Sequence, residues 1–459
     1  TKNKRRVSVN SISEELNIKL EKPIINTPQF VKNHITKQKE IVVQDIENNL
    51  YLISNTGKVL WKKQLQGPVL GTIEQIDIYK NGRLQLAFAT PNRVYVLDRN
   101  GNNVKPFTLN FNDEITQPLS VFDYDNRKKY RLLVTQGKNV LMYDAKGKMV
   151  KGFTFKSANS KIVSQPKHFR IGSKDYITLK SSSKLYILDR LGKTRVKPKQ
   201  SFNYSNQPVF LYNNTFTTTS ASGNLISVDA KGNVASKQLS LSKNHQVATT
   251  SKTLVAQTEN KLTIKNKTTE LDFGEYSNPK LFYINNKIYV STTDLQSHKI
   301  YLFDSQSKLL PNFPVYGNSA IELDNIDKDK SLEFVTQGVG LETEIALHLN
   351  WQPSLTGNPM QKILHGGVTA TMLDTIGGLV SIVETIKQTP LSELINLQSR
   401  LSTMGTVDMR VDYLRPGRGE QFIATACIIR KGSRLVVCRM ELHNEKGDHI
   451  AFGTGTYML

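Results

Sequence analysis

The sequence predicts a multidomain chain. An all-β propeller of seven or eight blades, the last one truncated, is followed by an α+β domain built from one long helix and an antiparallel sheet. Three observations predict it. A strand-and-turn phrase recurs seven times before Gly338. Charge and composition change at that glycine. Beyond it the apolar pattern runs strand, long helix, then four strands.

The recurring phrase is an apolar–aromatic alternation, then Asp or a stand-in, then a turn with Gly and a Lys or Asn. It reads "LYLISNTGK", "VYVLDRNGN", "VLMYDAKGK", "LYILDRLGK", "LISVDAKGN", "LTIKNKTTE" and "IYLFDSQSK". The aligned positions are Ser54, Asp98, Asp144, Asp189, Asp229, Asn266 and Asp304, at steps of 44, 46, 45, 40, 37 and 38. A period of two predicts a strand, and the turn joins it to a second strand as a hairpin. Four short strands fit each step, as in a propeller blade; a β-solenoid needs shorter, more uniform units. Over most of residues 40–338 the phrases resemble the degenerate blades of envelope propellers, such as quinoprotein-like repeats and outer-membrane assembly lipoproteins. That resemblance implies a scaffold with a protein partner, in the envelope or periplasm.

This part shows no P-loop, no nucleophile elbow and no metal-spaced His or Cys set. Asp327, Asp329 and Glu333 in "DNIDKDKSLEF" form a weak metal candidate; "DYDNRKKYRLL", from Asp123, is a fainter version. Neither has the Gly that a calcium loop uses for its sharp turn, so a solvated turn is expected and no metal.

The net charge of +22 lies wholly in this first part. Up to Gly338 there are 40 Lys and 10 Arg against 28 acids; beyond it, 4 Lys and 7 Arg face 11 acids. The lysines are spread over strand edges and turns, where they block unwanted strand pairing. Only "KNKRR" at 2–6 is dense. A solvated surface is therefore expected, with nucleic acid or another polyanion as the lesser reading.

"LLVTQGKNVLMYD", from Leu132, shows one full step of the repeat. "LEFVTQG" at Leu332–Gly338 repeats its opening, but no phrase strand follows. The repeat is cut there without a Pro-, Gly- or Ser-rich linker. The expected division is an N-terminal segment at 1–39, propeller-like repeats at 40–338 and a second domain at 339–459. The abrupt join fits a fusion, natural or artificial, of two partial units.

In the second domain "LETEIALHLNW" alternates as a strand and "SLTGNP" turns the chain. A helix of 18–20 residues is expected from about Gly367, with one ionisable residue, Asp374, in its first three turns. Strands follow, with turns at 415–419, 431–432 and 445–447. This order fits one helix wrapped by an antiparallel sheet. Both cysteines, Cys427 and Cys438, fall here; two make no disulfide framework and are expected to be buried thiols. No apolar run reaches the roughly 18 residues of a membrane span, so none is expected. The basic N-terminus has no apolar segment behind it and is not a complete signal peptide, although one removed earlier is compatible.

"LHGGVTATMLD" followed by "GTVDMRVDYLRPGRG" resembles the hotdog-fold acyl-CoA thioesterases, in the phenylacetate-pathway and THEM-like branch. The resemblance covers about 340–459. It implies hydrolysis of acyl- or aryl-CoA thioesters without a cofactor, and a homodimer or homotetramer in the cytoplasm. That location conflicts with an envelope propeller. The family's further helix before the first strand is replaced here by the propeller fragment.

The residues carry their own logic. Glycine at a helix start lets a substrate approach backbone N–H groups that have no intrahelical partner, and the helix dipole adds positive potential. A thioester carbonyl bound there would be stabilised as its oxygen gains charge. That role falls to the N–H of Gly366 or Gly367, with His365 orienting the loop. Asp374 is then the general base for water, or the nucleophile through a mixed anhydride. Eight residues of helix separate Gly366 from Asp374 by about 12 Å, so a two-fold dimer is expected to combine them. Thr406 stands where the family often has Ser or Thr to hold the water, expected from a neighbouring subunit. Asn358 lies one residue away from the family's substrate-orienting Asn. Arg415, Arg418 and Arg434, with Arg430, are candidates for the CoA phosphates or a solvated edge. Asp408 is expected to pair with Arg410 or a strand neighbour. "LSELINLQSRLSTMG" is expected to border the acyl pocket as a loop or short helix.

The bland readings are a tight turn at the glycines and an Arg-paired helix acid at Asp374. The alternative function is a non-enzymatic envelope adaptor carrying an inactive or artificially joined hotdog segment.

Overall fold

The structure, a computed structural model, describes residues 12, 15–327, 329, 331–338, 345–389, 397, 401–432 and 434–458. The basic run at 2–6, the Leu341 start of the first strand of the second part, and the 391–400 stretch apart from Leu397 lie outside the described residues. The chain divides into two compact units, Thr1–Val339 and Gly340–Leu459.

In the first unit consecutive strands pair antiparallel. Among the described residues they form eight sheets, at 29–64, 74–110, 120–144, 167–196, 210–238, 246–270, 280–316 and 322–335. Six have four strands, the third has three and the last only two. Eight apolar clusters join these sheets into a closed circuit. Leu50 and Leu52 of the first sheet pack with Phe88 and Tyr95 of the second. The same sharing passes round through clusters at the next six junctions. It closes where Val335 of the eighth sheet packs against Ile41, Val43, Tyr51 and Ile53 of the first. At that seam Lys39 N–H donates to the Ile326 carbonyl at 3.1 Å, and Lys39 Nζ pairs with Asp324 at 2.7 Å. The unit is an eight-bladed propeller whose last blade is truncated.

The turns explain the repeated phrase. Asp98 Oδ1 accepts the N–H groups of Asn100 and Asn102 at 2.8 and 2.9 Å. Asp144, Asp189, Asp229 and Asp304 do the same two and four residues on. Ser54 Oγ accepts from Thr56 and Lys58 at 3.3 and 3.0 Å. One carboxylate oxygen thus caps two turn amides that the hairpin leaves unpaired. Three residues after Asp98 and Asp189 the chain takes φ of 79° and 78°, at Gly101 and Gly192, where a side chain would be strained.

Asn266 does not play this part. Lys265 and Asn266 are the two central residues of a tight hairpin in which Ile264 pairs with Lys267, with Lys265 at φ 57°. The shorter turn leaves no amides for a capping side chain.

The second unit has a five-stranded antiparallel sheet. Its spatial order is Ala346–Asn350, Gln421–Lys431, Leu435–Asn444, His449–Met458 and Gly405–Tyr413. Helix α1 (Gly366–Gln388) packs on one face. Leu373 and Ile376 meet Ala424, Val436, Cys438, Met440 and Leu442 in its core. Every second residue of the central strands faces the helix, as a pleat with one covered face requires.

The helix has 23 residues, longer than the sequence suggested. It ends where Thr389 becomes extended (φ −88°, ψ 124°), because Pro390 disfavours helix at the residue before it. By length and composition α1 could cross a membrane, with an 18-residue stretch of mean hydropathy 1.4 within Gly366–Ile386. Its packing is that of a core helix. The glycine inside it has a packing reason: a Cβ on Gly377 would collide with the Tyr457 hydroxyl.

Candidate active site

The start of α1 is held from three sides. His365 is the N-cap, extended at φ −63° and ψ 135°, and its Nδ1 accepts the Gly367 N–H at 2.9 Å. The His365 N–H donates to the Leu355 carbonyl at 2.8 Å, and Leu364 N–H to the Gly417 carbonyl at 2.8 Å. The Tyr413 hydroxyl donates to the Gly366 carbonyl at 2.9 Å. Of the two glycine amides, that of Gly367 is therefore engaged by the imidazole. The Gly366 N–H has no acceptor among the described residues.

Asp374 lies two turns on, half-buried. Thr406 Oγ1 donates to its Oδ1 at 2.9 Å, and the Tyr457 hydroxyl donates to its backbone carbonyl at 3.1 Å. Burial and the nearby Asp374 carboxylate push the Tyr457 phenol above its usual range, so it stays a donor. The sequence reading expected Thr406 from a neighbouring subunit, but this contact forms within one chain. The cause is a β-bulge between Thr406 and Asp408 in the edge strand Gly405–Tyr413. Met409 and Val411 pack into the core beneath α1. Strict alternation would turn Thr406 away from them; the extra residue turns it back.

The remaining candidates separate. Asn358 Oδ1 accepts the Met360 N–H at 3.1 Å in the turn before α1. Arg418 donates to Gln361 Oε1 at 3.3 Å in the same region. Arg415 faces Asp448 at 3.5 Å, both exposed. Arg434 sits on the exposed hairpin turn at the other end of the sheet, where neighbouring Lys431 reaches the Glu384 carbonyl late in α1. One chain thus places Asn358, Arg415 and Arg418 around the helix start and Arg434 apart from them. Asp408 is exposed, and Arg410 pairs with Asp412 at 3.1 Å instead. Tyr413 and Tyr457 were not singled out from the sequence, although both lie in strands whose alternation was read; the inward parity of Met409, Val411 and Tyr413 was the available signal.

Among the described residues two groups of side chains have metal-ligand chemistry. Asp327, Asp329 and Glu333 bring carboxylate oxygens within 4.8 Å of one another. They already serve the loop, since Glu333 Oε2 accepts Ile326 N–H at 2.9 Å and Asp327 Oδ1 accepts Asp329 N–H at 3.0 Å. Burial, with the charges of Asp327 and Asp329, pushes the Glu333 carboxyl up. Glu441, His443 and His449 form the second group. There Arg439 pairs with Glu441 at 2.9 Å, and the two imidazoles stack at 4.4 Å.

Comparison with known proteins follows this geometry. The family model described as thioesterase superfamily matches residues 361–451. The medium/long-chain acyl-CoA thioesterase YigI of Escherichia coli K12 is 51% identical over 108 residues, 24% of this chain and 70% of that protein. The chain belongs to the thioesterase superfamily. Its thioesterase domain is the second unit, and that unit makes the chain a hydrolase. A Shewanella oneidensis crystal structure related to the thioesterase superfamily is 57% identical, with a TM-score of 0.24, over 25% of this chain and 74% of that one. BamB from Moraxella catarrhalis is 11% identical with a TM-score of 0.43, over 65% of this chain and 91% of that one. The eight-sheet propeller described above and a thioesterase domain are fused in one chain.

Proposed function

We propose that the second unit hydrolyses acyl-CoA thioesters, and that medium or long acyl chains are its substrates. The carrying observation is the Thr406–Asp374 hydrogen bond on a helix that opens with His365-Gly366-Gly367. Thr406 fixes one oxygen of Asp374, and the other is left to take a proton from water. The water oxygen attacks the thioester carbonyl carbon, and Asp374 accepts the proton. The carbonyl oxygen becomes an oxyanion against the Gly366 N–H and the positive end of α1. When the C–S bond breaks, the CoA sulfur leaves with the proton returned by Asp374. Arg415 and Arg418, near the helix start, are the candidates for the CoA phosphates in this reading.

About 12 Å of helix lies between Gly366 and Asp374, so two copies complete the reaction centre. The edge strand supports this reading. Gly405–Tyr413 pairs on one side only among the described residues and exposes Val407 (58%), Tyr413 (56%) and neighbouring Leu414 (49%). The activity of the YigI relative, a medium/long-chain acyl-CoA thioesterase, supports the substrate class. The propeller we assign to partner binding, supported by exposed aromatic side chains such as Phe273 and Tyr283.

The test uses the full chain and a series of acyl-CoAs, with released thiol as the readout. Asp374→Asn is expected to remove turnover while melting as the parent does. Undiminished turnover in that variant, or no turnover in the parent with any acyl chain, overturns the reading. Light scattering on the same samples reads the oligomer.

A further inference from the structure

At the start of α1, two successive peptide groups offer four hydrogen-bonding atoms, and three are taken. In the peptide between His365 and Gly366, the carbonyl accepts the Thr369 N–H at 3.1 Å. In the peptide between Gly366 and Gly367, the carbonyl accepts the Tyr413 hydroxyl at 2.9 Å and the N–H donates to His365 Nδ1 at 2.9 Å. Only the Gly366 N–H is left. Two adjacent glycines lack the side chains that restrict φ and ψ, so an unheld pair would sample many orientations of that donor.

We propose that Tyr413 and His365 act together as positioning residues, clamping the Gly366–Gly367 peptide from both ends so that the Gly366 N–H is held toward the thioester oxygen. This rests on the reaction centre proposed above; it adds Tyr413 to it and gives the expected orienting role of His365 a specific contact. The Tyr413 side chain stands over Gly366: a Cβ there would lie 3.5 Å from its hydroxyl. It comes from the last residue of the edge strand, so strand and helix start are tied directly. The clamp requires a neutral imidazole, because Nδ1 has a lone pair to offer only when the proton is on Nε2.

A preorganised donor acts on the developing oxyanion more than on the neutral ground-state carbonyl. Loosening it should therefore lower kcat and leave KM nearly unchanged. Tyr413→Phe keeps the ring and removes only the donor. Tyr413 is exposed, so the variant is expected to melt as the parent does. The expected effect is about a tenfold loss of kcat, the size of one hydrogen bond. His365→Gln keeps a side-chain oxygen that can accept the Gly367 N–H and should retain more kcat than His365→Leu.

Asp374→Asn serves as the companion. If Asp374→Asn is inactive but Tyr413→Phe keeps the parent kcat, the clamp is wrong and the reaction centre stands. If Asp374→Asn is fully active, the reaction centre itself fails. A Tyr413→Phe defect confined to KM also overturns the clamp, because it would place the hydroxyl on bound substrate.

Discussion

Thr406 Oγ1 donates to Asp374 Oδ1 at 2.9 Å, tying the bulged start of the edge strand to the ninth residue of the helix. The bond selects one orientation of a half-buried carboxylate. Thr406→Ala should lower kcat about tenfold, the worth of one hydrogen bond to a charged group or slightly less. Thr406→Ser should restore most of it. Thiol-release kinetics at saturating acyl-CoA measure this, and equal kcat for the Ala and Ser variants would contradict it.

Gly377 and Tyr457 share one space. The phenol oxygen lies where a Gly377 side chain would begin, and it is also the donor to the Asp374 carbonyl. Gly377→Ala forces the helix off the sheet or the ring out of place. Overpacking of this kind costs roughly 1–3 kcal/mol. The thermal transition of the second unit should fall accordingly. Gly377→Ala combined with Tyr457→Phe should lose less than the single changes suggest, since the phenol oxygen is then gone.

Lys180, in the fourth blade, is fully buried, and its Nζ donates to the Ser205 carbonyl at 2.5 Å. Burial pushes its pKa down to about 7, from an ordinary value of 10.5. Between these values the unfolded chain binds a proton that the native state has released, so stability rises with pH across that window. Below pH 7 both states carry the proton and the slope disappears. Lys180→Met should lack this rise. Denaturant unfolding of parent and variant at pH 7 and pH 10 gives the comparison, and identical pH dependence would sink the prediction.

Cys427 and Cys438 are buried and unlinked, and burial pushes each thiol up to about 11. Cys438 Sγ also lies 3.1 Å from Ser381 Oγ under α1. Thiolate is the reactive form. Neither should react with an aromatic disulfide reagent at pH 8 in the native protein, and both should react after denaturation. Rapid native labelling of either would show that the sheet face opens.

The blades were legible because their signal is local. Asp98, Asp144 and Asp189 cap amides only two and four residues away, so phrase and turn are one stretch of chain. Asn266 misled for the same reason: its flanking alternation matched, but a two-residue hairpin needs no cap. At the site, His365, Gly366, Gly367 and Asp374 lie on one helix start and could be read by spacing. Thr406 depends on a bulge, which a period of two does not carry; Tyr413 shares the parity of Met409 and Val411, but its reach to Gly366 depends on which edge the strand takes. Arg410 pairs with Asp412, two residues on along the same strand face.

The seam of the propeller has a consequence for synthesis. Gln337 Nε2 reaches the Ile24 carbonyl at 3.5 Å across 313 positions of chain. The apolar flank of the first blade, Ile41, Val43, Tyr51 and Ile53, is lined early by Ile18, Leu20, Ile24 and Phe30, and Val335 joins that lining from the far end of the chain. A nascent chain stalled before Val335 would lack only the last piece of that lining and would leave the ring unlatched.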